Sequence, residues 1–287
     1  MILLTGAAGK TGISILRYLT QHGVAVRALV RNAQQAEKVA GFKNTVPVTG
    51  DLLDEVSLTK AVEGVDTIYT ICPNMSPDEL HIVKSLIKIA QQNNVLRIVY
   101  HSVLHPQVES MPHHWQKMRV EESLFTSGLD FTILQPCAYM QNVLSGWQKI
   151  LAGQYIVPYN LNTRISIVDL KDIAKVAAKV LTETGHSNAI YELSGPENLT
   201  QHEVADQMSE SLKQPVIALE QSRQNWRQNA LESGMREHQI DLLIKMFEYY
   251  DKFGLVGNSS VLEYLLGRKP TTFKQFIART ISSGTEG

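Results

Sequence analysis

Cysteine is scarce in this 287-residue chain: only Cys72 and Cys137 occur. Two thiols cannot staple a small secreted scaffold, so a disulfide framework is excluded and reduced thiols are expected. An excess of one charge is lacking as well. Twenty-seven Lys and Arg face 28 Asp and Glu, for a net charge of −1. That balance gives no electrostatic reason to expect a nucleic acid or an anionic membrane as partner. No apolar stretch reaches bilayer-spanning length, and the opening run Ile2–Leu4 is too short for a secretion signal. A soluble, cytoplasmic protein is the expectation. What remains is an ordinary globular composition, 44% hydrophobic and 19% charged, with enough length for a substantial core.

Through the first half, short apolar runs alternate with helical patterns. Ile2-Leu3-Leu4 leads into a glycine turn, after which Ile13, Leu16 and Leu19 recur at helical spacing until Gly23. Further strands are expected at residues 24–30, 45–49, 65–71, 95–102 and 129–134. Pro47 confines the third strand to a sheet edge or a bulge. Asn32 with Gln35, and Thr200 with Glu203, read as capped helix starts. Ser76-Pro77-Asp78-Glu79 reads as a third, with Ser76 as cap and Glu79 closing the box. Later come a helix over 169–182, a strand over 189–193 and a mostly helical remainder.

Strands alternating with helices of this length imply right-handed βαβ units. The fold class expected is α/β, a Rossmann-type doubly wound parallel sheet over residues 1–195. A smaller, mostly helical lobe follows at 196–287, with 137–168 contributing to it and a ligand cleft between the two. Residues 282–287 read as a frayed tail.

The segment Thr5-Gly6-Ala7-Ala8-Gly9-Lys10-Thr11-Gly12 allows two phosphate-binding frames. A P-loop ending in Gly9-Lys10-Thr11 needs glycine five positions before Gly9, where Leu4 stands, so that frame fails. In the dinucleotide frame each glycine has a task. Gly6 allows a sharp turn, Gly9 a close approach to pyrophosphate, and Gly12 tight packing of the helix. Free N–H groups at the helix start would hold the phosphate oxygens. An NAD site usually carries Asp or Glu after the second strand, for the ribose 2′-OH. Here Val30-Arg31-Asn32 has no acid. The planar guanidinium of Arg31 suits a 2′-phosphate, with Lys10 assisting, so NADP(H) is expected ahead of NAD(H).

These residues, with Gly50-Asp51-Leu52, Ser127-Gly128-Leu129-Asp130-Phe131-Thr132-Ile133-Leu134-Gln135-Pro136, Asn142 and Val168-Asp169-Leu170-Lys171-Asp172-Ile173-Ala174, make the chain resemble the NmrA-like branch of the atypical short-chain dehydrogenases. The resemblance implies an NAD(P)-binding domain with a small C-terminal lobe. It implies one of two roles: reductase of quinones or triphenylmethane dyes, or redox-sensing regulator that binds cofactor without evident turnover. It places Gly50 and Asp51, with Leu52 beside them, near the adenine. Ordinary short-chain dehydrogenases pair a catalytic Tyr with a Lys four residues later, and a Ser ends the fifth strand. This chain keeps Ser102 and Lys117 but has His113 at the Tyr position. Lys117 is then expected on the ribose hydroxyls, and His113 to protonate or hydrogen-bond a substrate.

Other residues near strand ends border the expected crevice. Ile71 and Cys72 follow the fourth strand, though Cys72 also reads as a small buried hydrophobe. Pro136 and Tyr139 follow the sixth and should run beside the nicotinamide. His101, His105, His113 and His114 cluster in sequence, but their loop-like spacing and lack of a completing thiol or carboxylate argue against a metal. Trp147, Tyr155, Trp226, Phe247 and Tyr250 either line a pocket for flat acceptors or pack as a lobe core. The first functional expectation is an NADPH-dependent reductase of a small acceptor held in the interlobe cleft. The second is a non-catalytic NADP(H) sensor acting on a protein partner. An oligomer is compatible with both.

Overall fold

The structure, a computed structural model, describes residues 1–283; the expected tail beyond Ser283 lies outside the described residues. In chain order the elements are β1 (Ile2–Leu4), α1 (Lys10–Gln21), β2 (Val26–Val30), α2 (Ala33–Ala40), β3 (Thr45–Thr49), α3 (Glu55–Val62), β4 (Thr67–Thr70), α4 (Glu79–Gln92), β5 (Arg97–His101), α5 (Pro112–Phe125) and β6 (Asp130–Pro136). After these come β7 (Ala138–Tyr139), a 3₁₀ turn (Met140–Gly146), α6 (Trp147–Leu151), β8 (Gln154–Val157), β9 (Ile165–Val168), α7 (Leu170–Thr182) and β10 (Ala189–Leu193). The remainder holds β11 (Asn198–Leu199), α8 (Gln201–Leu212), β12 (Ile217–Glu220), α9 (Arg223–Glu232), α10 (Glu237–Phe253), α11 (Ser260–Leu266) and α12 (Phe273–Ser283). Ser282 and Ser283, expected to fray, close α12 by bonding its Arg279 carbonyl.

The chain forms two compact units. The first comprises Met1–Gln107, His113–Gln135 and Ile173–Tyr191. The second comprises Val108–Pro112, Pro136–Asp172 and the described residues from Glu192 onward.

A seven-stranded sheet in the order β10-β6-β5-β4-β1-β2-β3 organises the first unit. Strands β1 to β6 pair in parallel, with Leu3 beside both Arg27 and Ile68. The direction of connection reverses between β1 and β4, and such switch points open the crevice where doubly wound sheets bind ligands. Leu3, Ile68, Ile98 and Ile133 from the strands pack with Val83, Leu86, Val120 and Leu124 from the helices. Strand β1 is buried throughout, as expected of parallel strands covered on both faces. Pro47 lies in β3, the edge strand, where its missing N–H breaks no ladder.

Local capping follows the sequence at two of three sites. Asn32 accepts from the Gln35 N–H at 3.0 Å, and the Gln35 amide oxygen reaches the Arg31 N–H at 2.9 Å. Thr200 and Glu203 form the complete reciprocal box. Ser76 departs from the pattern. Its hydroxyl accepts from the Asp78 N–H at 3.2 Å, and α4 begins only at Glu79. Glu79 does not fold back on the cap, because the half-buried Lys117 claims its carboxylate.

The second unit holds a three-stranded sheet, β11-β9-β7, and a parallel pair, β12-β8, among its helices. Trp147, Tyr155, Met208, Phe273 and Phe276 form its core. Of the aromatics weighed as pocket lining or lobe core, Trp147 and Tyr155 belong to that core, and Trp226, Phe247 and Tyr250 make ring contacts. Trp226 meets Phe247 edge-on with centroids 4.8 Å apart, and Tyr159 contacts both Phe247 and Tyr250 at 5.7 Å. Ion pairs anchor the C-terminal segment to the start of α7: Arg279 meets the fully buried Asp169 at 2.8 Å, and Arg268 meets Asp172.

Candidate cofactor corner and active site

Strand β1 ends at Leu4 and α1 begins at Lys10, so five residues carry the chain around the corner. Gly6 sits at φ +60°, where an L side chain is strained, and a Cβ there would press on Ile71 at 3.0 Å. Gly12 is more constrained: a Cβ would lie 2.3 Å from the Gly6 carbonyl oxygen and 2.6 Å from the Ala7 Cα. The close approach that excludes a side chain is thus to the turn itself. Gly9 differs, since the nearest atom to a Cβ there is 3.3 Å away. The Gly9 N–H donates to Gly6 and the Ile13 N–H to Gly9, closing the turn. No side chain caps α1 and no acidic residue occupies its first turn. The first amides of the helix therefore present the partial positive charge and unpaired donors that bind anions.

Thr5, expected among the cofactor contacts, is fully buried. Its hydroxyl donates to the Ile71 carbonyl and accepts from the Ile71 N–H, each at 2.8 Å. This bond fastens the ends of β1 and β4 together. It also ends β4 at Thr70, one residue short of expectation, because the Ile71 backbone bonds to a side chain rather than a strand.

Arg31 follows the last residue of β2 with its side chain exposed and in no ion pair among the described residues. Beside it, across the β2–β3 pair, the Gly50 N–H donates to the Val30 carbonyl at 2.9 Å. Asp51 accepts from the Leu53 N–H at 2.9 Å and so caps a turn, whereas Asp54 caps α3. Leu52 is half-buried against the core, as is Cys72.

At the ends of β4 and β5, α4 and α5 bring together residues that sequence reasoning placed apart. Lys117 donates to the Glu79 carboxylate at 2.7 Å and to the His101 carbonyl at 3.3 Å; Tyr100 Oη lies 3.5 Å away. Tyr100 itself donates to the same Glu79 oxygen at 2.8 Å. Burial, reinforced by the Glu79 charge, pushes both the Tyr100 phenol and the Cys72 thiol well above their ordinary pKa values. A buried, protonated Tyr100 is therefore no substitute for the missing catalytic tyrosine.

Ser102, the expected catalytic serine, donates to Glu121, and Gln135 donates to the same carboxylate at 2.9 and 3.0 Å. All three are buried, and burial raises the Glu121 pKa. The Ser102 hydroxyl is thus engaged in tying β5 to α5. His113 presents its ring edge-to-face to His114, with centroids 4.6 Å apart. Burial, with smaller effects of His114 and Lys117, holds its pKa at about 3, so the ring is uncharged at neutral pH. Its Nδ1 is buried without a hydrogen-bond partner among the described residues. His114 is directed to the His105 carbonyl and His101 to the Tyr69 hydroxyl. Among the described residues, no three His, Cys, Asp or Glu converge as a metal would need.

Pro136 ends β6, and Tyr139 pairs with Val168 in the small sheet of the second unit. Sequence reasoning missed Glu121, named Gln135 within a matching motif without assigning it a role, and misread Glu79. The only available signal was Glu121 standing four residues after Lys117, on the same helix face.

Comparison with known proteins agrees with this architecture. The model of the NmrA-like family matches residues 1–277. An NAD(P)H azoreductase of Xenophilus azovorans is 30% identical, with 96% of each chain covered. The crystal structure of an NADPH-dependent quinone oxidoreductase of Escherichia coli, complexed with NADPH, superposes with a TM-score of 0.86. It is 25% identical, and the match covers 98% of this chain and all of that one. The triphenylmethane reductase of Citrobacter sp., complexed with NADP(H), shares the fold at a TM-score of 0.86, with 23% identity over 97% of this chain and 99% of that one. With its family model matched almost end to end and its glycine corner in place, the chain belongs to the NmrA-like family.

Proposed function

We propose that this protein is an NADPH-dependent reductase of a quinone-like, dye-like or other small electrophilic acceptor. The observation that carries the reading is the corner between β1 and α1, with its uncapped amides and its two glycines that admit no side chain. A dinucleotide fits the donors present there. Diphosphate oxygens would take the N–H groups of the first turn, beside Gly9. Arg31, exposed after the end of β2 and in no ion pair among the described residues, would meet a 2′-phosphate. The reductase names of relatives spanning nearly the whole chain support the same reading.

Bound reduced nicotinamide supplies the hydride. The residues of the chain bind, orient and exclude. Lys117 would hold ribose hydroxyls through its ammonium. His113, uncharged at neutral pH, would direct the acceptor by a hydrogen bond at a ring nitrogen rather than deliver a proton. Quinones and cationic dyes are electrophilic, so placement contributes more than a strong protein acid. The proton that completes a quinone's two-electron reduction comes from water.

NADPH oxidation against a panel of quinones, azo dyes and triphenylmethane dyes tests the proposal. Turnover with one class and not the others names the acceptor. Tight NADPH binding without oxidation by any acceptor replaces the reductase with a cofactor sensor.

A further inference from the structure

We infer that Glu79 is a positioning residue that sets where the Lys117 ammonium meets its ligand. The inference rests on the placement of Lys117 at the cofactor ribose.

Glu79 opens α4, a position from which a carboxylate ordinarily reaches solvent and complements the helix dipole. Here it is only 3% exposed. One of its oxygens accepts from Lys117 at 2.7 Å and from Tyr100 at 2.8 Å, so α4, β5 and α5 converge on a single atom. The two partners of the ion pair are not equally enclosed. Glu79 is shut away, whereas Lys117 keeps 19% of its side-chain surface open. A pair serving only to join two helices has no need of that asymmetry.

The remaining bonds of the ammonium are graded. The His101 carbonyl lies at 3.3 Å and Tyr100 Oη at 3.5 Å, the latter at the limit of a hydrogen bond. Lys117 thus has two directions held by Glu79 and His101 and a third held weakly. That third proton is the one a ligand hydroxyl can take over without moving the nitrogen. A lysine stem of four carbons has large rotamer freedom, and a buried carboxylate at 2.7 Å removes most of it before a ligand arrives.

The experiment is a double-mutant cycle on NADPH affinity, read by fluorescence titration, with thermal melting to establish folding. Lys117→Ala is expected to weaken NADPH binding about tenfold, and Glu79→Ala about fivefold. In the Lys117→Ala background, Glu79→Ala is expected to change affinity by less than about twofold, because nothing remains to be positioned. Glu79→Gln keeps the volume and an acceptor but not the charge, so an intermediate loss of about threefold is expected, again absent without Lys117. If the alanine variant does not fold, the glutamine variant completes the cycle. A wild-type affinity for Glu79→Gln overturns the inference. So does a loss that persists in full without Lys117, although Lys117 then keeps its place at the ribose. Wild-type affinity for Lys117→Ala removes that placement and the role of Glu79 with it.

Discussion

A Cβ on Gly12 would lie 2.3 Å from the carbonyl oxygen of Gly6, while one on Gly9 would come no nearer than 3.3 Å to any neighbour. The two glycines therefore answer to different constraints. At Gly12 the opposing atoms are backbone and cannot swing aside. Gly12→Ala is expected to lower the melting temperature, at a cost of about 2–3 kcal/mol, in the range of a strained core substitution. Gly9→Ala should leave the melting temperature within a few degrees of wild type yet weaken NADPH binding about tenfold or more, since only the approach of a ligand is obstructed. Equal melting temperatures for both variants would contradict this division.

Among the described residues Arg31 has no acidic partner. Arg31→Glu is therefore expected to weaken NADPH binding strongly and NADH binding little, because only NADPH carries the 2′-phosphate. A charge-assisted bidentate contact contributes about 1.5–3 kcal/mol, so the ratio of the two affinities should shift by about tenfold to a hundredfold. Parallel losses for both coenzymes would remove Arg31 from cofactor choice.

Histidines with depressed pKa values predict acid lability. Burial holds His101 and His113 at about 3 and His114 at about 4, all from 6.5. A histidine whose folded pKa is depressed binds fewer protons folded than unfolded. Stability is therefore lost as pH falls below about 6.5, by up to about 1.4 kcal/mol per pH unit for each such ring. Glu121 acts with the opposite sign, since its raised pKa favours the folded state toward low pH. The histidines outnumber it, and melting temperature should fall between about pH 6.5 and 4. For the same reason, catalysis should show no ionisation near 6.5 attributable to His113. His113→Ala is expected to reduce kcat/KM by about tenfold without altering the pH profile, which steady-state assays across this range would reveal.

Arg279 meets a fully buried carboxylate, Asp169, which also accepts from Gln141 at 2.8 Å. Arg279→Ala would leave that charge without its cation. The arginine is about one-third exposed, so the loss should be nearer about 2 kcal/mol than the full cost of an unpaired buried charge. Asp169→Asn combined with Arg279→Ala should recover part of it, as chemical denaturation would measure.

The local features were legible because they depend on a few consecutive residues. Spaced glycines between an apolar run and a helical pattern leave the backbone one economical path, and the corner from Thr5 to Gly12 follows it. Pro47 could occupy only an edge because it lacks an N–H, and Thr200 with Glu203 could satisfy each other within one turn. The alternation of strands and helices determined the parallel sheet for the same reason: period and connection length are local quantities.

What the tertiary structure decided is the fate of polar groups whose partners are distant in the chain. Glu79 has the sequence context of a capping residue, yet it pairs with Lys117 because α4 and α5 meet beside β5. Ser102 sits where a catalytic serine would, yet it is bound to Glu121 and Gln135. Spacing cannot reveal such choices. A buried charge must be paired wherever the fold carries it, and which partner is within reach depends on strand order and helix packing rather than on neighbouring residues.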